Sequence, residues 1–580
     1  MDRKGQAPPA RAVSRRHRRA RAHHLRTGPD PAAVRGRAAH RGVRPARRSQ
    51  GGVPMTAAAA PDPRIHGYTH ARRPPGVFGR EDFYGDTVLG CDVVVVGSGA
   101  GGATAAAELA EAGFDVIVLE EGSYYGTGDF TPNALDMIRK MYRDGGASAA
   151  IGRPPILFQE GRTVGGSAVV NGGMSWRTPP RVLDHWRREF GLDGVSPAAL
   201  EPYFERVERR IHVAYQDPET IGRDNQLLKQ GADKLGWRIE PNLRNQLHCA
   251  GSNNCAFGCP TGAKQSTLVT YIPRALHFGA RVYSNVRVDR IAHRGKRATG
   301  VVGHVVRENG TRGFRVVVRA KLVIAACGSI HTPALLARSG VRSPSGQLGR
   351  NLSMHPNVKV VALFDEEMRG WEGVHQAYQI REFAPYGIQT LAAVNVPPSI
   401  LAMGMHGYGA ELGDIMRDYK RCVVAGLLCE DSRYGHVKVV AGRPVAFYDL
   451  APADFDRIKM GAARLCELLF EVGAHTIYTP FSGMEVVRSS DDARRIESAP
   501  IPRERTEVVT VHMMGTARMG ARRSAAVTDE FGRVYDTEGL FVCDASLFPS
   551  AVGVNPCETI QTLSTRNAAH IIENRGRYLQ

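Results

Sequence analysis

The stretch Cys91-Asp-Val-Val-Val-Val-Gly-Ser-Gly-Ala-Gly-Gly102 decides the fold of this chain. Val93 to Val96 form an unbroken β-branched run, the pattern of a parallel strand buried on both faces. Gly97, Gly99 and Gly102 follow as G-x-G-x-x-G, and Ala103 to Ala112 is rich in helix formers and stops at Gly113. A second apolar run, Asp115 to Leu119, ends on Glu120, 23 residues after Gly97. Each residue type has its reason. Gly97 permits a tight turn, Gly99 lets backbone approach a pyrophosphate, and Gly102 allows close helix–strand packing. The helix start offers free N–H groups and positive potential, and Glu120 is placed to accept from a ribose hydroxyl pair. Strand, glycines, helix, strand and acid in that order predict a dinucleotide-binding unit, without separating NAD from FAD.

Further on lies Gly161-Arg-Thr-Val-Gly-Gly-Ser-Ala-Val-Val-Asn-Gly-Gly-Met-Ser-Trp-Arg177. Its adjacent glycines can bring backbone amides against a planar ring, and Asn171 can donate and accept at the ring's edge. Together the two motifs resemble those of the glucose–methanol–choline (GMC) oxidoreductases, FAD-dependent enzymes that oxidise alcohols. The resemblance rests on Arg162, Gly165, Gly166, Ser167, Asn171 and Gly172. It continues through Gly328-Ser-Ile-His-Thr-Pro-Ala-Leu-Leu-Ala-Arg-Ser-Gly340, departing at Arg342 where the family usually has Gly, and through Leu348-Gly-Arg-Asn-Leu-Ser-Met-His-Pro356. A strand pair at 286–291 and 298–302 resembles the one whose backbone, around Val288, meets the adenine. The segments His512-Met-Met-Gly-Thr-Ala-Arg-Met-Gly520 and Leu540 to Pro556 match the family's active-site segments most closely.

The resemblance implies that His512 is the catalytic base, that Asn555 takes the place of its paired His or Asn, and that Asp544 reaches the ribityl or pyrophosphate region. It implies hydride transfer from an alcohol carbon to flavin N5. A neutral imidazole suits proton removal, and Asn555 would hold the alcohol oxygen. Some family members attach FAD covalently through a His just before the position of Asn171; here Val170 stands there, so non-covalent FAD is expected. The closing segment leans toward a long-chain, sterol-like or otherwise apolar alcohol.

Three cysteines cluster as Cys249-x5-Cys255-x3-Cys259-Pro260. The segment resembles both the bacterial glucose-dehydrogenase-type subunits that hold a three-iron cluster and the long-chain alcohol oxidases. An iron–sulfur cluster on the three thiolates, zinc with His248 as fourth ligand, and structural thiols or a disulfide all stay open. The cluster reading favours a sugar or polyol dehydrogenase that passes electrons through the iron–sulfur cluster; in either reading the electron acceptor, oxygen, quinone or cytochrome, stays open.

The fold class expected is α/β: a discontinuous Rossmann-like FAD-binding domain (85–180, 255–355 and 505–580) plus an α+β substrate domain (181–254 and 356–504) with an antiparallel sheet. Strands are expected at 358–364, 423–429 and 437–440, and a core-packing helix over 454–472. Residues 1–84 read as a disordered Arg-rich extension and lead-in.

The 580 residues carry a formal net charge of +19, of which +13 falls within residues 1–54. That segment has almost no large apolar residues, so it is expected to be disordered. It reads as a basic arm for nucleic acid or an anionic membrane, as a targeting peptide, or as the product of a mis-chosen start with the working protein beginning at Met55. No apolar run of about 7–15 residues follows its arginines, against an export signal. The third reading is preferred, so no nucleic-acid partner is expected. The ten cysteines are scattered, unlike a disulfide framework, and point to the cytoplasm. No window of about 18 apolar residues lacks charge, so no transmembrane helix is expected.

Overall fold

The structure, a computed structural model, describes residues 73–341, 343–405 and 407–579. The Arg-rich segment 1–54, the alternative start at Met55 and the departure at Arg342 lie outside the described residues. Two large sheets and two small ones organise the described residues.

The first sheet has eight strands and grows from β1 (Thr87–Val96), which leads into α1 (Ala100–Glu111) and returns as β2 (Val116–Leu119). Val93↔Val116 through Val96↔Leu119 are in parallel register. Beyond β2 lie Arg281–Tyr283 and the short edge strand Val77–Phe78. On the other side β1 pairs in parallel with the long strand Arg312–Ala325, which also receives Leu540–Val542 in parallel. The same long strand continues the antiparallel meander 286–294 and 297–306. Val93 and Val95 join one apolar cluster and Val94 and Val96 another. Both faces of β1 are therefore covered, which is why its apolar residues do not alternate. Full burial of each such valine contributes roughly 1.5–3 kcal/mol.

The second sheet has ten strands and is antiparallel except where Ile156–Phe158 runs parallel to Val508–Thr510. Its centre is β3 (Asn357–Leu363) beside β4 (Cys422–Cys429), in register from Asn357↔Leu428 to Leu363↔Cys422. Val358, Val360 and Ala362 face the core, where the helix Pro452–Glu471 packs with Phe455, Ile458, Leu465 and Leu468. The expected strands at 358–364, 423–429 and 437–440 and the helix over 454–472 are thus present, within one or two residues at most ends. The architecture is mixed α/β, with a Rossmann-like part assembled from separated segments and a second part built on the largely antiparallel sheet. Among the described residues no helix is long and apolar enough to cross a membrane.

A small four-stranded sheet includes Arg350–Met354 and Met513–Met514. These run antiparallel with Ser353↔Met514 and Met354↔Met513. One further step of that register brings His355 opposite His512.

Candidate active site

A cavity of about 420 Å³ lies between the first sheet and the second. Its floor is the glycine turn after β1. Gly97 has φ +98°, and a Cβ there would stand 2.3 Å from the Ala326 carbonyl oxygen, so no larger residue fits. The second glycine-rich segment closes over it: a Cβ on Gly166 would lie 2.6 Å from the Gly99 Cα. Two bare backbones face each other there, with the N-terminus of α1 opening between them, and this is a cradle for a pyrophosphate. Glu120 and Asp544 bound the same end. Ser98 donates to Glu120 from its N–H at 3.0 Å and its hydroxyl at 2.7 Å, and the Gly122 N–H donates at 2.8 Å. Asp544 accepts from the Gly328 N–H at 2.9 Å and from the Thr332 hydroxyl. Burial pushes both carboxyls above their ordinary range, against the pull of these donors.

Gly97, Gly99, Glu120, Gly166, Ser167, Asn171, Gly172, Val288, His512, Asp544 and Asn555 all line the cavity. Gly102, Arg162 and Gly165 do not. Gly102 seats α1 against the Gly97 carbonyl, where a Cβ would stand at 2.0 Å. The Arg162 backbone N–H donates to Met141 O, and Gly165 packs against Val169 and Leu268. These three shape the cradle from behind.

At the other end, His512 sits between Val508–Thr510 of the ten-stranded sheet and Met513–Met514 of the small one. Its Nδ1 lies 3.0 Å from Nδ1 of His355, and its Nε2 lies 3.5 Å from Nδ2 of Asn555. The Asn555 amide as donor leaves a lone pair on Nε2, which places the ring proton on Nδ1, shared with His355. Burial first, and His355 second, hold the His512 imidazole well below its ordinary pKa; burial alone brings His355 down to about 3. Both rings are neutral at neutral pH. An unprotonated Nε2 that opens into a cavity beside an amide can take a hydroxyl proton.

Comparison with known proteins agrees with this geometry. The two GMC oxidoreductase family models match residues 138–357 and 433–564, and an FAD binding domain model matches 92–137. A GMC-type oxidoreductase of Sinorhizobium fredii is 34% identical over 491 residues, 84% of this chain and 96% of that one. The chain belongs to the GMC oxidoreductase family. It is an FAD-dependent oxidoreductase, of a family whose members act on alcohols. A long-chain-alcohol oxidase of Arabidopsis thaliana is 28% identical over 530 residues, 84% of this chain and 68% of that one. In fold it is similar to a formate oxidase of Aspergillus oryzae, with TM-score 0.65, 16% identity, 86% of this chain and 100% of that one covered.

One expectation finds no support in this GMC oxidoreductase. Among the described residues no group of three His, Cys, Asp or Glu side chains is placed to hold an ion, so the structure gives no support to a metal or iron–sulfur site at Cys249, Cys255 and Cys259; all ten cysteines are free thiols. Cys259 Sγ is engaged by the Thr261 hydroxyl at 3.3 Å and the Lys264 N–H at 3.4 Å. Arg244 reaches Cys255 at 3.5 Å. Buried Lys264 donates to the carbonyls of Val169, Asn171 and Cys255, so this loop is tied by a cation to the very segment that flanks the cradle. His355 went unremarked in the sequence although it stands in the quoted Met-His-Pro; nothing local distinguishes it from a packed core histidine.

Proposed function

We propose that this GMC oxidoreductase oxidises the CH–OH group of a long-chain or otherwise apolar alcohol, with His512 as the base and FAD bound without a covalent link. The observation that carries this reading is His512 Nε2 at 3.5 Å from the Asn555 amide nitrogen in the same cavity as the glycine cradle. When bound, FAD supplies the acceptor for the hydride that leaves the alcohol carbon. Asn555 donates to the alcohol oxygen and orients it; His512 Nε2 takes the hydroxyl proton as the carbonyl forms. The His512 charge that develops is shared with His355 through the Nδ1–H. The wall above is apolar, with Val394, Val396, Ile400 and Leu428, which suits an alkyl chain. The resemblance to long-chain-alcohol oxidases supports the same choice. In this reading segments 85–180, 255–355 and 505–580 hold the cofactor, and 181–254 and 356–504 shape the alcohol chamber.

The test is anaerobic mixing of the FAD-loaded enzyme with dodecanol. Bleaching of the flavin band is expected, slowed about 10²- to 10⁴-fold in His512→Ala. Bleaching of that variant at the wild-type rate, with FAD bound in full, would remove His512 from the role of base.

A further inference from the structure

The roof of the chamber carries a charge that the proposed function leaves unused. On β3, Val358 and Val360 point into the core, so Asn357 and Lys359 share the opposite face, and both line the cavity. Lys359 is exposed on the wall of this cavity, and desolvation there holds its ammonium below its ordinary pKa. Its cross-strand neighbour on β4 is Gly426; a Cβ there would press within 3.2 Å of the lysine's Cγ. The glycine gives the lysine stem room to lie across the sheet.

Among the described residues no carboxylate pairs with this ammonium. The four acids that line the cavity are taken elsewhere. Glu120 and Asp544 accept from the donors given above. Glu121 pairs with Arg143, and Glu160 with Arg143 and His331. Beside Lys359, His375 accepts the Asn395 N–H on Nδ1 at 3.3 Å. Burial, followed by the charges of Arg244 and Lys359, brings its pKa to about 3, so the ring is neutral and carries its proton on Nε2. A cation and a neutral N–H donor thus face one chamber. Asn357 pairs with Val509, three residues before His512, and Lys359 is two residues farther along the same face, roughly 7 Å.

We infer that Lys359, with His375 beside it, is the docking site for a carboxylate at the end of the substrate remote from its hydroxyl, so that the preferred substrate is an ω-hydroxy acid rather than a plain alcohol. This rests on the proposed alcohol oxidation and narrows its substrate class. An ammonium without a carboxylate partner on a cavity wall attracts an anionic ligand into that cavity. The apolar residues around it would cover the alkyl chain between the two ends.

Two measurements test this on the FAD-loaded full chain, with Lys359→Met (neutral, similar length) and Lys359→Arg (charge kept). Dodecanoate binding by calorimetry reads the anion site without turnover; a tenfold or greater loss of affinity is expected in Lys359→Met, and most of it restored in Lys359→Arg. Turnover of ω-hydroxydodecanoate against dodecanol reads specificity; wild type is expected to favour the hydroxy acid at least tenfold in kcat/KM, and Lys359→Met to abolish that preference by raising KM for the acid alone. Equal dodecanoate affinity in wild type and Lys359→Met overturns the inference. So does loss of FAD from Lys359→Met, since the ammonium would then serve the cofactor. Failure of wild type to turn over either compound while dodecanoate still binds through Lys359 would defeat the alcohol-oxidation reading and leave the anion site standing.

Discussion

Replacing His355 by Phe separates chemistry from folding at the proposed base. His512 can accept a proton on Nε2 only while its own proton stays on Nδ1, and His355 Nδ1 at 3.0 Å is the acceptor that keeps it there. Phe removes that acceptor, leaving either a buried Nδ1–H without a partner or the proton on Nε2, where it blocks the base. An unsatisfied buried donor costs about 1–3 kcal/mol. If that penalty falls on the productive tautomer, kcat drops about 5- to 150-fold. Stability should move less, because the His355 Nε2 is itself buried without a partner and Phe removes that orphan. His355→Asn, whose side-chain oxygen can stand near the lost Nδ1, should recover part of the rate. The assay is kcat with dodecanol or ω-hydroxydodecanoate, alongside FAD content and thermal midpoint for each variant. A Phe variant within twofold of wild-type kcat, fully loaded and equally stable, would refute the tautomer argument, as would an Asn variant no faster than Phe.

Other outcomes follow from the same contacts. In Gly101→Ala the new Cβ would fall 1.8 Å from the Cys543 carbonyl oxygen, so α1 must shift at its start; overpacking of about 1–3 kcal/mol and weaker FAD retention are expected, read by calorimetry and flavin stoichiometry. With Val170 preceding Asn171, acid denaturation followed by filtration should release all flavin, whereas a yellow protein pellet would contradict non-covalent binding. Buried Asp431, which accepts from Ser353, Met354 and Tyr448, is pushed up by its burial to about 7. Its folded pKa exceeds the unfolded value near 3.9, so the folded state holds the extra proton. Its contribution to stability is therefore full below about pH 4 and lost as pH rises to about 7, on the order of 4 kcal/mol in all. Urea midpoints across that window should show a flatter pH slope in Asp431→Asn than in wild type.

Local chemistry made much of this molecule legible in its sequence. Gly97, Gly99 and Glu120 are fixed by strand, turn and helix geometry within thirty-odd residues, and each lines the cavity as its spacing implies. The His512–Asn555 pair came through resemblance, since 43 residues separate them and no local period relates them. His355 was hidden for a different reason. It meets His512 across 157 residues through the antiparallel register of Met354 and Met513, and sequence alone does not set that register. Lys359 carries no local mark of a role: on this strand it falls on the face away from the core, and that face lines the cavity. The spacing of the cysteines brings thiols near one another along the chain without fixing what they bind. Arg244 reaches the Cys255 thiol and Lys264 the Cys255 carbonyl.

The phase of β3 has a consequence for how this enzyme could diversify. Core-facing and chamber-facing residues alternate along it, and His512 is carried by a separate segment clamped between two sheets. Positions 357 and 359 can therefore be exchanged without unsettling either the hydrophobic interior or the proton acceptor. Selection, natural or in the laboratory, can retune what the chamber accepts one side chain at a time while the reaction stays the same.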